Sequence, residues 1–144
     1  MSADDRPENV LVVRRVIPVP RERVFAAWLD PAQLVRFMRP GDVREATAVV
    51  DARVGGSFRI VMSHGRGDAE HWGEYPAIEP PSLLSFTWIS GSTDLQPTTV
   101  TIEFLEHPRG TEVVLTHRGL PRRAFDAHEH GWATIVAKLA DALS

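Results

Sequence analysis

Six histidines, four tryptophans and a single tyrosine are the residues of this 144-residue chain best suited to chemistry. His117 falls in phase with Val113 and Leu115, so in an extended segment it shares their apolar face. A histidine in such surroundings is a candidate general base or ligand anchor. His128 lies between Phe125 and Trp132 at three- and four-residue steps, which on a helix sets it on an inward stripe as a polar anchor. His117 and His128 are therefore the two catalytic candidates. Trp132 is read both as a core residue and as an aromatic wall for a flat ligand. Tyr75 alternates with Gly73, a placement that suits core packing first and a pocket hydroxyl second. Arg14 and Arg15 alternate faces, and one turned inward would need a carboxylate, expected from the protein itself.

Other groupings exclude more than they suggest. His64 and His71 flank a tip at residues 65–70 and would face each other in a symmetric hairpin. No third ligand stands at a usable spacing, so no metal is expected and both are read as exposed near a loop. His128 and His130 are two apart, hence on different helix faces and no chelating pair, while Asp126 and Glu129 are placed to complement a helix N-terminus. Gly55-Gly56 joins two strands and opens no helix, so it is not a phosphate loop. There is no nucleophile elbow and no carboxylate pair suited to glycoside hydrolysis. With no cysteine, thiol catalysis, disulfides and thiolate metal sites are excluded. No cofactor is expected.

Composition narrows the partners. A formal net charge of −3 argues against nucleic acid. Of the 16 basic residues only Lys138 is lysine, which reads as a genomic bias toward arginine rather than a phosphate-binding design. The acidic start, residues 1–6, carries no apolar segment of the signal-peptide kind, and no apolar run reaches spanning length. A cytoplasmic protein without a membrane partner is expected, with homodimerisation left open.

These residues need a frame. Residues 124–143 read as one amphipathic helix of roughly 30 Å, its stripe formed by Phe125, Trp132, Ile135, Val136, Leu139 and Leu143. A polar tail is expected at 1–9 and a single domain over 10–144. A first strand at 10–17 is followed by two short helices. Pro20 opens one, and Asp30-Pro31 opens the next with Asp30 as N-cap. Alternating patterns then mark strands at 44–53, 57–64, 70–78, 83–89, 98–106 and 111–118. With the first this makes seven, mostly antiparallel. Val54-Gly55-Gly56 is a turn needing positive φ, and Gly73 marks a bulge or a close backbone approach. A lone long helix after many strands can bury its stripe only on the sheet's concave face. A cavity between the two is the expected site.

The pieces carry a resemblance. Pro20 to Trp28, Asp30-Pro31, Asp51-x-Arg53-x-Gly55-Gly56-x-Phe58, Gly73, Glu79-Pro80-Pro81, Leu84-x-Phe86-Thr87-Trp88, Gly110-Thr111, Leu115-Thr116-His117 and Gly131-Trp132 with Leu139 stand in a telling order. Over nearly the whole chain it resembles the SRPBCC (START and pollen-allergen-like) helix-grip superfamily. More narrowly, it is similar to the branch named for the C-terminal domain of the activator of heat-shock protein 90 ATPase. The second short helix departs from the pattern, with Phe37-Met38 where members often carry tryptophan. The resemblance implies an α+β helix-grip fold and a pocket, not an activity.

The leading expectation is a non-catalytic binder of a small hydrophobic or aromatic molecule, lipids included. Its pocket residues are Phe58, Ile60, Met62, Tyr75, Trp88, Phe104, Leu115, His117, His128 and Trp132. One alternative is a polyketide cyclase or dehydratase-like enzyme using a pocket histidine. The other is a chaperone-activator-like interaction domain, which an exposed apolar patch on the convex sheet would favour.

Overall fold

The structure, a computed structural model, describes residues 10–144. The polar tail expected at 1–9 lies outside the described residues. From the first strand, β1 (Val10–Ile17), the chain turns into α1 (Arg21–Ala27) and α2 (Pro31–Phe37). Asp30 caps α2 as its composition predicts, its side chain accepting from the Ala32 N–H at 3.0 Å with Pro31 in the first turn. The strands β2 (Glu45–Val50), β3 (Ser57–His64), β4 (Gly67–Glu74), β5 (Ala77–Glu79), β6 (Leu83–Trp88), β7 (Thr98–His107) and β8 (Gly110–Arg118) follow, and α3 (Arg122–Leu143) closes the order. A single 3-10 turn, Gly91–Thr93, lies between β6 and β7.

Among the described residues eight strands therefore replace the expected seven. The stretch read as one strand at 70–78 is divided, since Pro76 has no N–H to give a ladder and falls between β4 and β5. The sheet is also divided: β1-β8-β7-β6-β5 form one layer and β2-β3-β4 another, every pairing antiparallel. The two meet at a narrow seam. Trp72 and Ile89 exchange both backbone hydrogen bonds, at 3.0 and 3.1 Å. One residue on, a Cβ on Gly73 would lie 2.0 Å from the Thr87 carbonyl oxygen, so Gly73 marks the close approach. Gly55, at φ 82°, supplies the positive φ of the β2–β3 turn.

The apolar stripe of α3 packs on β1 and against α2. Trp132, Ile135, Val136, Leu139 and Leu143 are buried along it. The helix starts two residues before its expected first residue. Its first turn consequently contains Arg122 and Arg123 and no acid, so Asp126 and Glu129 stand beyond the reach of the N-terminal dipole. Arg14 and Arg15 are both exposed, and Arg14 pairs with Glu112 at 4.0 Å on the surface. Phe37 and Met38 are buried, Phe37 edge-on to Trp28 at 5.1 Å. No described helix is long and apolar enough to cross a membrane.

Candidate functional site

Two spaces open on the inner face, and they differ greatly in size. The deeper is a void of about 10 Å³ among Trp28, Phe58, Tyr75, Phe86 and Trp88. It has room for one water-sized oxygen, bordered by two indoles, of Trp28 and Trp88, whose buried N–H groups have no protein acceptor. The larger is a cleft of about 260 Å³. Its helix wall is Ala127, His128, His130, Gly131, Trp132 and Ile135 of α3. Its sheet wall is Met62, His71 and Trp88, with Pro40, Gly41 and Ser92 at the ends. Trp88 borders both spaces and so divides them.

Aromatic contacts hold this wall in place. The Trp88 and Trp132 ring centroids are 5.0 Å apart and tilted by 55°, and His71 stacks on Trp88 at 4.8 Å. Behind Trp132 runs a chain of hydrogen bonds whose directions are fixed by its two ends. Trp132 Nε1–H can only donate, and it gives its proton to Nδ1 of His117 at 2.9 Å. Thr98 Oγ1 donates to the Trp88 carbonyl at 2.6 Å and so accepts from Nε2–H of His117 at 2.7 Å. His117 is thereby the neutral Nε2–H tautomer with both nitrogens occupied. Burial first, then the neighbouring His128, hold its pKa down to about 3.

His128 is arranged the opposite way. Its Nδ1–H donates to the Ala124 carbonyl at 2.9 Å, leaving Nε2 as the acceptor of the neutral ring, with no hydrogen bond to it among the described residues. Burial lowers its pKa too, opposed by that carbonyl.

A frame of curved antiparallel strands gripping a terminal helix, with a small aromatic cleft along the helix, can be compared directly with known proteins. The family described as activator of Hsp90 ATPase homolog 1-like protein matches residues 18–144. The chain belongs to this family. Within it, and in the SRPBCC superfamily that contains it, the fold is shared at low identity. A Chromobacterium violaceum protein is 24% identical with a TM-score of 0.86, over 94% of this chain and 96% of its own. For one from Nitrosomonas europaea the values are 23% and 0.80, over 96% of both. An AHSA1-like protein from Aeromonas hydrophila is 24% identical at 0.75, over 92% of this chain and 90% of its own. No curated protein matches.

In this AHSA1-like domain the ten residues expected to line the pocket separate into three groups. Met62, Trp88, His128 and Trp132 line the cleft. Phe58, Ile60, Tyr75 and again Trp88 surround the small void, where burial and then Asp51 push the Tyr75 hydroxyl pKa upward. Phe104 and Leu115 border neither space; Phe104 is sealed by Phe25 at 5.2 Å. His117 backs Trp132 from inside the core.

His71 corrects an expectation. The hairpin tip is Gly65-Arg66 alone, and His71 pairs with Ile60, not with His64, which faces Gly67. His71 is therefore seated four residues deeper along β3, its Nδ1 buried without a partner and its pKa lowered to about 4, chiefly by burial and secondarily by His128. The cross-strand neighbour of the inward-facing Ile60 was the signal available for it. Pro40, Gly41 and Ser92 carried none, since they come to the cleft on the connections between elements, whereas Gly131 stands on α3 itself beside Trp132. No group of three histidines or carboxylates among the described residues is placed to hold a metal ion.

Proposed function

We propose that this AHSA1-like domain binds a small hydrophobic or aromatic molecule in the cleft between α3 and the sheet, without catalysing its conversion. The observation that carries this is a cleft of about 260 Å³ whose walls are two indoles, Met62 and Ile135, with only a few polar groups converging on it. That volume lies just below the ~300 Å³ at which ordinary ligand pockets begin, which suits a compact guest over a long acyl chain. Met62, Trp88, His128 and Trp132 are the binding residues, and His71 joins them. His117 acts as a prop: its two hydrogen bonds hold the Trp132 ring in place before a guest arrives.

Catalysis draws less support. His117 has no free lone pair, and no carboxylate lines the cleft to act with His128. The interaction-domain reading draws less still. The exposed large apolar residues among those described, Val12, Val49, Val54, Leu95 and Leu105, are spread over β1, β2, the turn after β2, the loop before β7 and β7. Native mass spectrometry of protein purified from its own host tests the proposal. The expected result is a small molecule retained in the native spectrum and released on denaturation. A clean protein that also leaves apolar fluorescent probes unbound would overturn it.

A further inference from the structure

The cleft's polar groups have a particular sign and hydrogen-bonding sense. No Arg, Lys, Asp or Glu lines it among the described residues. A carboxylate or phosphate entering it would leave water and meet no fixed counter-charge, a cost that an apolar wall does not return. At the helix wall His128 presents a bare acceptor. Its Nδ1–H is committed to the Ala124 carbonyl, so Nε2 is the nitrogen of this cleft-lining ring left to receive a proton donor. Burial keeps this ring in its neutral form, which preserves that lone pair near neutral pH. The sheet wall carries His71, stacked on Trp88, and the helix wall adds Trp132, so the lining is aromatic although both indoles are held by their neighbours with little more than an edge exposed. Aliphatic guests gain contact from such walls, but planar ones gain ring packing as well.

Resting on the binding role proposed above, we infer that the cleft selects an uncharged, planar, hydroxyl-bearing guest. Its hydroxyl donates to Nε2 of His128 while its ring lies against the Trp88 and Trp132 indoles, and carboxylates of the same shape are turned away. The chemical class is phenolic or enolic. Methylene-rich acids and phosphorylated molecules are excluded.

Calorimetric titration of the full chain near neutral pH with naphthalene, 2-naphthol and 2-naphthoate separates the terms, since the three share a ring system and differ in donor and charge. The naphthol is expected to bind about tenfold or more tightly than either relative. His128→Phe, which keeps an aromatic ring and removes the acceptor, should bring naphthol down to naphthalene. His128→Gln, which offers an amide oxygen, should restore part of the difference. Equal affinity for naphthol and naphthalene, or a preference for naphthoate, would overturn the selection while leaving an aromatic pocket standing. If none of the three binds, the inference falls. Mass spectrometry of the host-purified protein then decides separately whether a guest of another kind occupies the cleft.

Discussion

A histidine that gives one nitrogen and receives at the other has no use for a second proton, and His117 is in that position between Trp132 and Thr98. Protonation would put an N–H against the indole N–H of Trp132, inside a fully buried site. The consequence is a pH-dependent stability whose sign is fixed. In the unfolded chain His117 and His71 take up protons near pH 6.5, whereas in the folded chain they do so only near 3 and 4. Between those limits the unfolded state binds more protons, so folding stability falls as the pH falls below about 6.5, and is unaffected by these groups above it. Each contributes a slope approaching about 1.4 kcal/mol per pH unit. Urea unfolding between about pH 7 and 5, where carboxylates stay mostly ionised, reads this directly. His117→Gln should remove one histidine's share of the slope. An unchanged slope in that variant would show that His117 titrates normally in the fold.

At the scale of elements the two sheets depend on one narrow seam. A single bridge between Trp72 and Ile89, with the Glu74 N–H donating to Thr87 Oγ1 at 2.9 Å, joins the layers there. Because a Cβ on Gly73 would stand 2.0 Å from backbone, Gly73→Ala must push β4 off β6. A loss of about 1–3 kcal/mol is expected, read as a lowered Tm, and His71, two residues away on β4, should shift with it. An unchanged Tm would mean the seam is compliant. The alternating patterns and the terminal stripe made the element order legible in the sequence, since both report which face is buried. The seam was legible only as a glycine out of place, because the strand it meets is 14 residues further on and periodicity carries no such distance. The position of the hollow was less legible again. Phe104 and Leu115 do face inward, as their phase predicts, yet Phe25 of α1 packs against Phe104. Phase tells which side a residue faces, whereas the volume left over depends on what arrives from elsewhere in the chain.

For the molecule as a whole, the long helix is both the last piece of the core and one wall of the cleft, and Gly131 is where these two duties conflict. It lies in the interior of α3, where glycine costs about 1 kcal/mol relative to alanine. The site does not require it for fit: a Cβ there would meet only Pro40, at an ordinary 3.7 Å, and its φ is not in the left-handed region. Gly131 and Pro40 both line the cleft, so the missing side chain widens the entrance at the expense of the helix. Gly131→Ala should therefore stabilise the fold by about 1 kcal/mol, a rise in Tm of about 3 °C for a chain of this size. Gly131→Leu should keep the fold, since leucine is a good helix former, while its side chain occupies the space between α3 and Pro40. Circular dichroism would then show an intact domain, and calorimetry a guest affinity reduced tenfold or more. Full affinity in a folded Gly131→Leu protein would place the guest elsewhere than between α3 and Pro40.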